Sequence, residues 1–259
     1  MPRDRASTLA AHYPEAHAGG FSRVDGTVQF YTRIAALLEP GMHVLNLGAG
    51  RGEHVLEDPV PFRRDLQRLR GRVARVTGLD IDAAVLGNPD LDAAHVIAPD
   101  GPFPLPDASV DLVLADNVFE HVTDPAAVAA QIARVLRPGG WLCARTPNRH
   151  GYIAIGARVV PRRLHEAVLA RVQPERQMRD VFPASYQLNT RAALRRHFPA
   201  ARWQHHVYPW TAEPAYVGNH PAAWTLARGA LALVPPPLRD TWFAFLRHRP
   251  VGADDQDNA

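Results

Sequence analysis

A chain of 259 residues with 46% hydrophobic and 21% charged side chains has the make-up of an ordinary soluble globular protein, enough for one large α/β domain with an added segment. Twenty-nine basic side chains, carried by arginine, against 26 acidic ones leave a formal charge of +3, which raises the pI without creating a field that argues for nucleic acid. Cys143 is the only cysteine, so no intramolecular disulfide and no cysteine-based zinc site can form, and a reducing cytoplasm is the expected compartment.

The first residues, MPRDRASTLAAHYPEAH, lack the apolar core of a signal peptide, and no apolar run approaches the roughly 18 to 20 residues that cross a bilayer. Residues before Arg23 read as a mobile lead-in. VQFYTRIAALLEPG then sets Val28, Tyr31, Ile34, Ala35 and Leu38 at helical spacing and stops at Pro40-Gly41. HVLNL follows, short and apolar as a buried parallel strand requires, and leads straight into Gly48, Gly50 and Gly52. After Pro59 and Pro61, FRRDLQRLRG resumes a helical pattern. RVTGLDID is a second strand ending at Asp80 and Asp82, and AHVIAPD, SVDLVLADN and GGWLCARTPN supply three more. The helix PAAVAAQIARVL precedes the last of these and is ended by Arg137-Pro138-Gly139-Gly140. Such alternation calls for a parallel sheet with helices on both faces, and in such sheets ligands bind outside the carboxyl ends of the strands.

The alternating glycines would let the chain turn tightly and let a ligand lie against main-chain N–H groups, although an isolated GxGxG is equally at home as plain loop glycine. A dinucleotide site would want a third glycine where Glu53 stands, and its carboxylate would repel a pyrophosphate. A cofactor without phosphate fits better. Asp80 suits two vicinal ribose hydroxyls, or alternatively a helix N-cap, a task better suited to Asp82 because AAVL follows it directly. Asp107, in PDASVD, reads as a turn residue.

Taken together, VLNLGAGRG, VTGLDID, APDGPFPLPDASVDLVLADNVFEHV and RVLRPGGWL resemble, in order and spacing, the signature blocks of class I S-adenosylmethionine-dependent methyltransferases, in the branch acting mainly on small molecules. The resemblance spans about residues 42 to 148. It implies a single-domain Rossmann-like fold, a seven-stranded and mostly parallel sheet with helices on both faces, and S-adenosylmethionine as methyl donor. It implies that Gly48, Ala49, Gly50 and Gly52 pass beneath the methionine part of the donor. Asp80 would take the ribose hydroxyls, Ile81 would lie on the adenine, and Asp100 would meet the adenine amino group with Gly101 adjoining it. Asp116 and Asn117 would approach the methionyl end. Asn46 departs from the pattern, which has an acidic residue there; the amide keeps an acceptor oxygen but loses charge attraction, with Glu53 and Asp116 as candidate sources of negative potential.

Methyl transfer from a sulfonium is an in-line displacement that asks the protein to align the reactants and exclude water. A hydroxyl acceptor gains from a general base, for which His121 in FEHV is a candidate alongside a structural role, with His150 and Tyr152 in TPNRHGY as pocket candidates. The histidines show no metal spacing at the strand ends, and His205 and His206 would point to opposite faces of a strand, so no metal is expected.

Residues 1–41 read as a lead-in and cap helix, in which Phe21, Arg23 and Tyr31 would fold over the cofactor. Residues 42–148 form the cofactor-binding core, 149–200 a helical insertion or lid, 201–250 the strands and helix that complete the sheet, and 251–259 a polar tail. The insertion carries Arg158, Arg162, Arg163, Arg171, Arg176 and Arg179, a basic face that is either solvated or turned to an anionic or membrane-associated acceptor. Trp203, Trp210, Trp224 and Trp242 read as packing residues. ADNVFEH lacks the motif of amino methyltransferases acting on DNA, and Cys143 lies inside a strand, so nucleic acid is not the expected acceptor. A small metabolite, glycan or lipid precursor is, with oxygen as acceptor atom by analogy. The competing readings are a non-catalytic binder of the same cofactor and a nicotinamide oxidoreductase.

Overall fold

A computed structural model of the chain describes residues 5–152, 154–155, 184–214, 217 and 220–250. Strands β1 (His43–Leu47), β2 (Arg75–Asp80), β3 (Ala93–Val96), β4 (Val110–Asp116) and β5 (Leu136–Pro147) coincide with the five apolar runs of the core sequence, and β6 (Trp203–Trp210) and β7 (Thr241–His248) follow. They form one sheet in the order β3-β2-β1-β4-β5-β7-β6. The first five are parallel, and β7 runs antiparallel to both β5 and β6. The strand order reverses between β1 and β4, and there Leu47 pairs with Leu79 on one side and with Ala115 on the other. The exits of β1, β2 and β4 are therefore level, which opens a crevice at the switch point.

Alternation along each strand sends neighbouring side chains to opposite faces. Leu45 and Leu47 pack on one face with Val128, Ala129 and Ile132 of helix α5 (Pro125–Val135) and Leu194 of a later helix (Arg191–His197). Val44, Val76 and Leu112 pack on the other with Phe30, Tyr31 and Ile34 of helix α2 (Gly26–Ala35). Both faces being covered explains why the strands read as unbroken apolar runs. Asp25 caps α2 by accepting from Thr27 and Val28 N–H at 2.9 Å each, and its other oxygen takes Arg63 at 2.8 Å, which fastens α2 to the helix Pro61–Gln67. Cys143 is buried within β5, as a small hydrophobe would be. Trp203, Trp224 and Trp242 are buried, and Trp210 stacks on Phe243.

The lead-in is more ordered than its sequence suggests. Arg5–His12 forms a helix and Pro14–His17 a 3-10 turn, and Tyr13 and Ala16 bury against Trp224 of the late helix Pro221–Ala232. Arg228 donates to His12 O at 2.9 Å and lies over the Tyr13 ring at 4.8 Å. These partners stand more than 200 residues apart, a contact invisible to local periodicity. The arginine-bearing stretch from Arg158 to Arg179 lies outside the described residues; of the expected insertion the structure describes residues 149–152, 154–155 and 184–200, with the helix Arg191–His197.

Phe30 is fully buried, edge-on to Tyr31 and tilted against Phe243 and Phe245 at 5.4 and 5.5 Å. Phe30→Ala is expected to cost ~3–5 kcal/mol from the emptied volume. A urea midpoint within error of the wild type would contradict this packing account.

Candidate active site

The β1 exit loop is held by its own backbone. Gly48 and Ala49 N–H both donate to Leu79 O, at 2.7 and 3.2 Å, and Gly50 N–H donates to Asp80 Oδ2 at 2.8 Å. Asn88, which local sequence did not single out, donates from Nδ2 to Ala49 O at 2.9 Å and to Gly50 O at 3.1 Å. The first three N–H groups of the loop are thus spent internally, not offered to a ligand as the glycine pattern suggested. The glycines serve different ends. A β-carbon on Gly48 would lie 2.4 Å from Val118 Cγ2, whereas one on Gly50 would meet no protein atom within 4 Å and would project into open space. Gly48 is required by packing, and Gly50 is the position that leaves room beside the loop.

Asp80 ends β2 and holds two backbone donors, Gly50 N–H on Oδ2 and Asp82 N–H on Oδ1 at 2.9 Å. A carboxylate offers about four lone-pair sites, so capacity remains for further donors. Asp82 caps the following 3-10 turn through Ala84 N–H at 2.8 Å, as its sequence position implies. Ile81 is 45% exposed, an apolar side chain left open next to the carboxylate. Asp100 has a left-handed backbone (φ 52°) and receives Asp124 N–H at 2.7 Å, Thr123 N–H at 3.1 Å and the Thr123 hydroxyl, all on Oδ2. It therefore ties the β3 exit to the loop after β4. Arg134 of α5 stiffens the stretch between them by donating to Phe103 O and Leu105 O at 2.8 Å each and by pairing with Asp107.

At the β4 exit, Asp116 forms a two-pronged ion pair with Arg145 (2.6 and 2.7 Å) and accepts from the Tyr31 hydroxyl at 3.1 Å. The Arg145 guanidinium also donates to Thr27 Oγ1 at 2.9 Å and lies 5.5 Å from the Phe30 ring centre. Burial and the adjacent Asp116 anion push the Tyr31 hydroxyl well above the usual phenol range. Asn117 adopts φ 55° and donates to Asp116 Oδ1 at 3.0 Å. Asp116 is thus neutralised by Arg145, whereas Glu53 shares Arg51 with Glu57, at 2.9 and 2.7 Å, one cation between two carboxylates.

Glu120 and Asp240 were not anticipated. Glu120 is buried, and Thr146 Oγ1 donates to its Oε2 at 3.1 Å. Loss of water pushes its carboxyl up to about 7, helped by the nearby Asp116 anion and opposed by a hydrogen bond from its own backbone N–H, by the Thr146 bond and by Arg145. The Asp240 carboxyl is also raised by burial, and its Oδ1 has no hydrogen-bond partner. The one signal for Glu120 in the sequence is its place in FEHV; Asp240 comes from the far end of the chain and carries none.

These groups enclose a cavity of about 840 Å³. Asn46, Gly48, Ala49, Gly50, Gly52, Asp80, Ile81, Asp100, Asp116, Asn117 and His121 all line it, as do Tyr31, Glu120 and Asp240. Gly101 stays outside the lining, its N–H bonded to Ala98 O at 3.0 Å. His150 is exposed, and neither it nor Tyr152 borders the cavity among the described residues; Phe21 and Arg23 also stand away, with Phe21 stacked on Phe62. Among the described residues no cluster of three metal-ligating side chains occurs, and no helix is long and apolar enough to cross a membrane. The space beside Gly50, the open face of Ile81 and the spare acceptor capacity of Asp80 together fit an uncharged nucleoside edge, and the cavity is of the size that takes a cofactor.

Comparison with known proteins agrees with this geometry. Two family models, both described as methyltransferase domains, match residues 45–144 and 99–213. A probable S-adenosylmethionine-dependent methyltransferase of Mycolicibacterium smegmatis is 38% identical over 114 residues, covering 42% of this chain and 39% of that protein. A ubiquinone biosynthesis O-methyltransferase of Paracidovorax citrulli is 32% identical over 148 residues, covering 49% and 56%. The chain thus spans about half or less of the length of these relatives. The crystal structure of a Thermotoga maritima S-adenosylmethionine-dependent methyltransferase, described as a possible histamine N-methyltransferase, superposes with a TM-score of 0.51 at 15% identity over 93% of this chain and 97% of that one, which shows a shared fold. The order of the sheet, the cavity at its switch point and the two domain matches converge: the chain carries a methyltransferase domain on the fold of the class I S-adenosylmethionine-dependent methyltransferases.

Proposed function

We propose that the protein transfers a methyl group from S-adenosylmethionine to an oxygen of a small molecule, glycan or lipid precursor. The observation that carries this reading is a single cavity bordered by the bare Gly50 position, by Asp80 and by the buried Glu120. In this reading Asp80 holds the ribose hydroxyls, Ile81 covers the adenine, and Gly48, Ala49, Gly50 and Gly52 pass under the methionine part, near Asn46, Asp116 and Asn117. Asp100 contributes to the adenine pocket through the loop it ties down. When bound, the donor supplies an electrophilic methyl on a positively charged sulfur, so the protein's own work is alignment and exclusion of water. The choice of oxygen is supported by the relative named an O-methyltransferase and by a carboxylate on the cavity wall able to receive a hydroxyl proton. His121 on the same wall serves in positioning the acceptor.

Asp80→Ala is expected to weaken S-adenosylhomocysteine binding at least ~10-fold by calorimetry, the loss of one charge-assisted hydrogen bond or more. Because Asp80 also holds Gly50, the melting temperature of the unliganded variant is measured beside it; unchanged affinity would refute the ribose assignment.

The two glycines separate packing from binding. Gly48→Ala adds a clash with Val118 to a left-handed backbone and is expected to destabilise the fold by more than the ~1–2 kcal/mol that such a backbone costs alone. Gly50→Ala meets only the backbone cost and instead puts a methyl into the cavity, so it should lower affinity for the donor product more than it lowers stability. Equal effects of both substitutions on both measurements would count against the proposed path of the ligand.

A further inference from the structure

Glu120 is a buried carboxyl on the cavity wall for which the alignment of the donor gives no use. We propose that Glu120 is the proton acceptor for the hydroxyl that receives the methyl group, with Thr146 and Asn189 as the positioning residues that aim it. This rests on the methyltransferase reading above.

The aiming follows from counting protons. Asn189 and Thr146 are both fully buried. Asn189 Nδ2 donates to Pro147 O at 2.9 Å, and since a carbonyl only accepts, the amide is oriented with its NH₂ towards β5. The same NH₂ donates to Thr146 Oγ1 at 2.6 Å. A hydroxyl has one proton, so that of Thr146 is left to donate to Glu120 Oε2. One carboxylate oxygen is thereby fixed as an acceptor of a protein hydrogen bond, and Thr146 is the one side chain that bonds this carboxylate among the described residues. The backbone is held as well: Glu120 O accepts from Ser185 N–H at 2.6 Å and Tyr186 N–H at 3.1 Å. The Glu120 backbone N–H also supports the carboxylate, which borders the cavity.

The charged neighbours favour the role. Asp116 opposes ionisation of Glu120 and Arg145 favours it, while these two are chiefly engaged with each other and with Tyr31. Asp240 borders the same cavity with a carboxyl that also holds its proton beyond the usual range, and His121 adjoins in the chain. A carboxylate whose proton affinity lies near neutrality can take a hydroxyl proton during the reaction and release it to water afterwards. In the step, the acceptor oxygen forms the new O–C bond, the C–S bond breaks with its electron pair left on sulfur, and the hydroxyl proton passes to Glu120. One positive and one negative charge vanish together.

The first test needs no acceptor: carbon NMR of the full chain labelled at the glutamate carboxyls, titrated with S-adenosylhomocysteine present. One resonance, missing in Glu120→Gln, is expected to titrate near pH 7; Thr146→Val should move it higher, because a hydrogen bond to the charged form is lost, and Thr146→Ser should restore it. A Glu120 resonance in the ordinary carboxylate range, or one indifferent to Thr146→Val, overturns the proposal. Stability gives a second readout. A carboxyl raised by folding contributes fully below the unfolded carboxylate range and loses that contribution as pH rises from that range to about 7, so the melting temperature of Glu120→Gln relative to wild type should climb across that window and level off above it.

The second test uses catechol and 4-nitrocatechol as hydroxyl probes, the latter already ionised at neutral pH. Glu120→Gln should lower methyl transfer to catechol by ~100-fold, affect 4-nitrocatechol far less, and leave calorimetric affinity for S-adenosylhomocysteine unchanged. An equal loss with both probes, or no transfer to either by a wild type that binds the donor, overturns the proposal alone. A wild type that fails to bind the donor overturns the methyltransferase reading itself.

Discussion

The hydrogen bond from Gly50 N–H to Asp80 Oδ2 is the contact on which the geometry of the cavity depends. It joins the exits of two neighbouring parallel strands, and with the Gly48 and Ala49 bonds to Leu79 O it fixes a loop in which every glycine of the motif has positive φ. A loop satisfied in this way has no need of a ligand to hold its shape. The same carboxylate faces the cavity with its remaining lone pairs, so one side chain organises the fold and is placed to read a ligand. Asn88 completes the frame from the opposite side by bonding two loop carbonyls.

A second constraint is electrostatic. Arg145 is drawn into the interior by Asp116, Tyr31 and Thr27. Removing one partner of such a pair would strand a buried charge, which typically costs about 3–5 kcal/mol. The pair also quiets the wall where β4 ends, because Asp116 is already balanced and Asn46 beside it is neutral. The wall as a whole stays acidic, since Asp80, Asp82 and Asp100 border the cavity and Arg51 is the one arginine that does so among the described residues. Two further carboxyls of the wall, Glu120 and Asp240, are driven by burial towards the protonated form.

Side chains at strand exits form the cavity on rigid elements, and loops between late strands vary the remainder of the wall. Asp240 and Thr241, at the start of β7, reach the cavity only because β7 inserts antiparallel between β5 and β6, which brings the far end of the chain beside Pro147.

Sequence by itself determined the five parallel strands, the helices between them, the site at the strand exits and eleven of the cavity-lining residues from Asn46 to His121. These were legible because buried strands demand continuous apolar runs and because an aspartate or glycine at a strand exit has few other tasks. Tertiary structure alone decided that Asp116 is neutralised by Arg145, that Val118 leaves no room for a side chain at Gly48, and that Tyr13 packs on Trp224. It also decided that His150 points away while Glu120 and Asp240 face the cavity. Each of these depends on residues far apart in the chain meeting side by side, and on burial changing the proton affinity of a carboxyl, neither of which local spacing encodes.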